Sequence, residues 1–196
     1  MAAITLPNNA TPSAMEPRLV SSRNEMSPAF GGPTQRQSRM GSKYALDYVM
    51  PPMRYDQAQE WADIDDEAAT VVMRIYQPGL VIGSPGTPLV SGSGQSGSVI
   101  ALKGLAAGYA IRKNQWLSIS TGAQWYAYRA KSAVSADGSG NVSVPLRTML
   151  RTSPTNNDTV AILDPKIEGY PTPADGCWSI SAADRLIRLA FTITER

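Results

Sequence analysis

Between Thr87 and Ile167 the chain is a succession of short runs in which apolar and polar residues alternate. Gly, Ser, Asn or Asp punctuates nearly every gap between them. Val99 and Ala101 oppose Ile100 and Leu102; Trp116, Ser118 and Ser120 oppose Leu117 and Ile119; Val142 and Val144 alternate with Asn141 and Ser143. A strand sends successive side chains to opposite faces, so a period of two reads as strands buried on one side. Closely spaced turn signals between such runs predict a small β-barrel or β-sandwich. The residues on either side look like two halves of another domain, into which this stretch is inserted.

The flanks are read in chain order. Residues 1–17 hold three prolines and form an extended arm with a short strand around Ile4 to Leu6. This arm is either a loose terminus or a segment that crosses onto a neighbouring subunit. Arg18 to Arg23 is a candidate strand. The stretch SPAFGGPTQRQSRMG (27–41) is too rich in Gly and Pro for a helix and turns at Gly31-Gly32-Pro33. Its Arg36 and Arg39 read as solvated loop charges or salt-bridge partners ahead of a phosphate site. Lys43 to Met50 is a strand with Tyr44, Leu46 and Tyr48 on one face.

Pro51-Pro52 ends that strand, and a helix is predicted from Asp56. Asp56 stands as N-cap with Gln59 at the third helical position, the spacing of a capping box. Ala58, Trp61, Ala62 and Ile64 make its apolar face. Thr70 to Tyr76 is a strand with Val71, Met73 and Ile75 on one face, and 77–88 is a Pro- and Gly-rich linker. Ala136 to Gly140 is expected to be a hairpin loop. After Pro171 and Pro173, Cys177 to Ser181 and Arg185 to Thr194 are strands, the latter with Ile187, Leu189, Phe191 and Ile193 on one face.

Much chemistry is excluded by composition. There is no histidine and one cysteine, Cys177. No intrachain disulfide can form, and Ser-His-Asp and Cys-His pairs are ruled out. Cys177 reads as a small buried hydrophobe. The net charge of +2 gives no global argument for a nucleic-acid or anionic-membrane partner. The first residues lack a basic n-region and an apolar core, so no signal peptide is expected, and no run is long enough to insert in a membrane. Gly92, Gly94 and Gly97 match G-x-G-x-x-G, but a strand-like SVIAL follows where a dinucleotide site needs a helix. The acidic run Asp63, Asp65, Asp66, Glu67 lacks the glycine and ligand spacing of a calcium loop. It reads as a solvated or subunit-facing surface. No residue is assigned a catalytic, cofactor-binding or metal-binding role, and no cofactor is expected.

Two groups remain as candidate contact residues. Trp116, Trp125, Tyr126 and Tyr128 could stack on sugars or line an interface, with Tyr126 and Tyr128 on one face of their strand and Trp125 on the other. Gln57, Glu60, Trp61, Asp63 and Asp65 lie on the predicted helix and could face a neighbouring subunit.

Three segments carry a family resemblance: PAFGGPTQRQSRMGSKYALDYVMPPM (28–53), GSGQSGSVIALKGLAAGYAIRKNQWLSI (92–119) and the terminal RLIRLAFTITER. Their Gly-Gly-x-x-Gln-Arg-like stretch, their proline pair leading into a short helix, and an Asp-x-x-Gly turn before a strand resemble tail-tip and baseplate structural proteins of long-tailed bacteriophages. Within that class the chain looks most like a distal tail protein. The resemblance implies a mainly β fold: a tail-ring β-sandwich with one short α-helix from 1–77 and 172–196, split by an inserted small β-barrel or β-sandwich domain at 78–171. Many family members append that second domain, whereas here it lies before the last strands. The resemblance further implies a non-enzymatic virion protein of the tail tip, made in the host cytoplasm. It would form a homo-hexameric ring between the tail tube protein and the tail-tip hub, seat fibre or receptor-binding proteins, and leave a lumen through which DNA passes without base reading. The alternative carried beside it is a carbohydrate-binding module for host attachment, using the four aromatics.

Overall fold

In the computed structural model, residues 3–37, 39–65, 69–174 and 177–196 are described. The chain opens with β1 (Ile4–Thr5) and β2 (Ala14–Val20), followed by a two-stranded hairpin of β3 (Asn24–Met26) and β4 (Gln35–Gln37). Next come β5 (Lys43–Val49), α1 (Tyr55–Ala58), a 3₁₀ helix (Gln59–Asp65) and β6 (Val71–Arg74). The middle of the chain supplies β7 (Gly86–Val90), β8 (Val99–Leu105), β9 (Ala110–Ile111), β10 (Trp116–Thr121), β11 (Gln124–Arg129), β12 (Val134–Ser135), β13 (Val142–Pro145) and β14 (Val160–Ala161). Last are β15 (Lys166–Pro173), β16 (Ser179–Ser181), β17 (Leu186–Arg188) and β18 (Ala190–Glu195). The protein is thus mainly β with one short helical segment.

Six strands from the two ends of the chain share one sheet, in the order β1-β6-β15-β18-β5-β2. The β1–β6 pair is parallel and the other pairs are antiparallel. The middle segment forms separate small antiparallel sheets, β11-β10-β14, β13-β8-β7 and the β9–β12 pair. Residues 166–171, grouped with the middle segment on sequence, form the first part of β15: Lys166 pairs with Arg74 and Pro171 with Ile193. The strand outruns β6 after Gly169, so Pro171 and Pro173 fall where one side has no ladder to break.

Each half has its own core. Tyr44, Leu46, Tyr48, Trp61, Met73, Ile167, Phe191 and Ile193 belong to the first; Tyr48 stacks on Phe191 with ring centroids 5.5 Å apart. Ile100, Leu102, Leu117, Ile119, Tyr128, Val142 and Val144 belong to the second. Trp116 and Ala127 come from the middle segment yet pack into the first core, so the two halves meet through apolar contact.

Four local expectations are corrected. Asp56 is not the N-cap: Arg54 holds that position in extended conformation, without a side-chain cap bond. Asp56 lies in the first turn, where its charge favours the positive end of the helix. The helix also tightens after one turn. Ala58, Trp61 and Ile64 are buried while Ala62 is exposed, the three-residue repeat of a 3₁₀ helix. The Ala136–Gly140 turn is closed by Ser139 and Asn141 amides donating to the Asp137 carboxylate at 2.8 Å, but its flanking strands pair elsewhere, β12 with β9 and β13 with β8. The terminal strand is two, β17 and β18, broken at Leu189; the apolar face Ile187, Leu189, Phe191, Ile193 is buried throughout.

Candidate functional site

No group of three or more metal-ligating side chains gathers among the described residues. Asp66 and Glu67 lie outside the described residues, as does the side chain of Asp65. Cys177 is buried in the first core. The glycines Gly92, Gly94 and Gly97 lie in a connection that runs straight into β8. Gln95 ties that connection down: its amide oxygen accepts from Ala101 N at 2.6 Å and its Nε2 donates to Ser91 O at 2.8 Å. No helix follows, so no helix N-terminus is offered to a phosphate. Among the described residues no helix is long and apolar enough to cross a membrane.

The four aromatic candidates do not form one platform. Trp116 is 4% exposed and meets Tyr44 edge-on at 4.8 Å; Tyr128 is 1% exposed. Trp125 and Tyr126 are half-buried. Each ring has a cation near it: Arg129 is 4.9 Å from Trp116, Lys166 is 5.0 Å from Trp125, and Arg151 is 5.1 Å from Tyr126 and 5.9 Å from Tyr128. A sugar stacking on any of them would compete with that cation.

The helix candidates divide by the 3₁₀ repeat. Trp61 is fully buried against Phe191, with its indole N–H donating to Asn9 Oδ1 at 3.0 Å. Gln57, Glu60 and Asp63 face outward. Glu60 accepts a hydrogen bond from Asn9 Nδ2 at 2.8 Å, so the segment after β1 is clipped to the helix twice.

The most constrained polar groups are two buried glutamates. β11 lies at the edge of its sheet, with backbone N–H groups turned away from β10. Glu168 Oε2 accepts from Trp125 N at 2.8 Å, and Glu195 Oε1 accepts from Ala127 N at 2.7 Å. Glu168 and Glu195 come from β15 and β18, neighbours in the large sheet. Glu195 also accepts from Tyr44 N at 2.6 Å and pairs with Arg151 Nη2 at 2.5 Å. Two further bonds join the halves: Trp116 N donates to Gln77 Oε1 at 2.8 Å, and Lys166 N donates to Ser118 Oγ at 2.9 Å. An open strand edge invites another chain, and here carboxylates of the same chain occupy it.

Burial pushes the Glu195 carboxyl up, while Arg151 and the two amides pull it back. Burial likewise works against the Arg151 charge, and Glu195 outweighs it, leaving the guanidinium more basic than usual. The sequence held a signal for this site. Glu195 continues the period-two face Ile187, Leu189, Phe191, Ile193, where a charge is out of place unless paired. Glu168 carried no comparable signal.

The opposite extreme is the segment from the end of β2 through the β3–β4 hairpin. Every described residue from Glu16 to Gly41 is exposed, including Leu19, Val20, Met26 and Met40, and Phe30 is wholly so. Arg36 pairs with Glu25 at 3.0 Å across the hairpin. No protein-family model matches this chain, and no curated protein sequence shows significant similarity to it.

Proposed function

We propose that this protein is a structural component of the tail tip or baseplate of a long-tailed bacteriophage. In this reading copies assemble into a ring that joins the tail tube to the tip, seats fibre or receptor-binding proteins, and leaves a lumen for DNA. The six-stranded sheet is the ring-forming body, corresponding to the tail-ring β-sandwich that the resemblance implies, and the middle segment is a β domain inserted into it.

The observation that carries the reading is the exposed segment from Glu16 to Gly41, with Phe30 at the turn of its hairpin. An isolated two-stranded hairpin is marginal in water, so this one calls for packing from outside the chain. A ring subunit needs such a surface to meet a different face of its neighbour. The rigid attachment of the middle segment through buried glutamates also suits a load-bearing part. The carbohydrate-binding alternative gains no support from rings that each lie against a cation.

The test is the mass and shape of the purified protein, by light scattering and negative-stain imaging, alone and with the tail tube protein. A closed ring with a central hole supports the proposal. A protein that stays monomeric in both settings yet binds host glycan defeats it.

A further inference from the structure

Charge is divided unevenly along the chain. From Tyr55 to Ala69 there are six carboxylates, Asp56, Glu60, Asp63, Asp65, Asp66 and Glu67, and no Lys or Arg. From Lys103 to Arg151 the balance reverses: seven basic residues accompany one acid, Asp137. Part of that basic segment lines a cleft of about 300 Å³ beside the β3–β4 hairpin. Arg23 and Arg39 enter it from the two ends of the hairpin, and Lys131 and Arg147 from the middle segment. Ser21, Ser42 and Thr148 add hydroxyls, and among the described residues no carboxylate lines it.

None of these four cations forms an ion pair among the described residues. Arg147 is held in place by a neutral group, its Nε donating to Asn114 Oδ1 at 2.7 Å. Four like charges around one cleft raise a positive potential that an anionic partner would relieve.

We propose that this cleft receives the acidic helical segment of a second copy of the chain, with Asp56, Glu60 and Asp63 as the outward carboxylates. This contact rests on the ring reading above and names the faces that meet. The two surfaces lie toward different edges of the large sheet. Leu19 and Ser21 bring the cleft to β2 at one edge, whereas Asn9, which follows β1 at the other edge, is bound to Glu60 and Trp61. Surfaces so placed pair between copies, and the pairing is head-to-tail, the kind that closes a ring. A nucleic-acid backbone could meet the same cations, but the chain itself exposes a carboxylate-rich partner.

The experiment reverses each side of the contact in the full-length chain. One variant carries Lys131→Glu and Arg147→Glu, a second carries Asp56→Lys and Asp63→Lys, and a third carries all four. Self-association is measured by sedimentation at roughly 20 mM and roughly 500 mM salt, across which screening changes strongly. The wild type should associate at low salt and weaken about tenfold or more at high salt. Each single-sided reversal should weaken association by about tenfold or more, and the four-fold variant should recover it. All substituted positions are exposed, so each variant should still unfold cooperatively, with at most a small shift from the lost Asp56 helix-end charge and the Arg147–Asn114 bond, and thermal unfolding serves as the folding control. Rings that persist unchanged in the single-sided variants overturn this contact and leave the ring reading standing. A wild type that never associates on its own overturns this contact, while the ring reading is decided by the imaging with the tail tube protein. A four-fold variant that fails to recover overturns the pairing. So does a short DNA duplex whose binding is lost in the cleft variant while self-association is unaffected.

Discussion

Glu195 and Arg151 form an ion pair at 2.5 Å with side chains 1% and 8% exposed. Glu195 closes the last strand of the large sheet and Arg151 belongs to the middle segment, so the pair spans both halves of the molecule. Making a buried pair gains little, because both charges lose water. Breaking one is costly, because the survivor stays buried and uncompensated.

Glu195→Gln should therefore destabilise the protein by about 3–5 kcal/mol. Replacing both partners together, with Glu195→Met and Arg151→Met, should cost clearly less than the sum of the single changes. Urea unfolding of the four proteins in a double-mutant cycle measures the coupling. Additive costs would show that the pair does not act as a unit.

The three-residue repeat of the 3₁₀ helix separates neighbours that an α-helix would group. Ala62→Glu should change stability by no more than about 0.5 kcal/mol, since that side chain faces solvent. Ile64→Ala should cost about 2–5 kcal/mol, since Ile64 is 1% exposed. Thermal unfolding compares them directly. Comparable costs at the two positions would place them on one face and contradict the repeat.

Asp158 pins the loop before β14 to the β10–β11 hairpin, accepting from Thr155 Oγ1 at 2.6 Å and Thr121 Oγ1 at 2.8 Å. Burial pushes its carboxyl up, but these bonds and the Thr155 amide outweigh that and leave it below the usual carboxylate range. A lowered folded value means stability that is fully present above the unfolded value of about 3.9 and is lost as pH falls through the folded value. The urea midpoints of wild type and Asp158→Asn should therefore differ at pH 6 and draw together as the pH falls from about 5 toward 2. A gap independent of pH would detach the effect from this carboxylate.

Gly140 and Gly94 have nearly the same backbone angle, φ of 78° and 76°. A Cβ at Gly140 would run into the backbone carbonyl of Leu105, whereas one at Gly94 meets open space. Gly94→Ala should cost only the left-handed strain of about 1–2 kcal/mol. Gly140→Ala should cost distinctly more, because backbone must move away from backbone. Chemical denaturation of both variants separates conformational strain from steric collision.

What the sequence made legible was local. Period-two runs placed the buried faces of β5, β8, β13 and β18, because alternation depends only on neighbours along the chain, whereas β10 is buried on both faces. The glycine triplet at 92–97 could be dismissed as a nucleotide site because the next residues read as a strand. What escaped depends on distant partners. Asp56 looked like a cap because the capping signal rests on two residues, whereas the helix starts at Tyr55, just after the backbone bridge between Met53 and Ile187. The boundary drawn after residue 171 falls inside β15, because nothing local shows that Lys166 to Pro173 continue as one strand of the large sheet. Trp116 was read as a surface candidate because nothing local shows that Tyr44 and Arg129 enclose it. Glu195 alone was readable in hindsight, as a charge in an apolar register.

The position of β18 has a consequence for how the chain is made. It lies between β5 and β15, yet it is the last described strand to leave the ribosome. Until then, the β2–β5 pair and the β1–β6–β15 group have no common neighbour. The middle segment has by that time been synthesised in full and draws on local pairings such as β10 with β11. It can collapse first and shorten the loop of about ninety residues that separates β6 from β15. The large sheet is then completed in one late step, when β18 slots between strands made long before it and delivers Glu195 to the waiting amides of Tyr44 and Ala127.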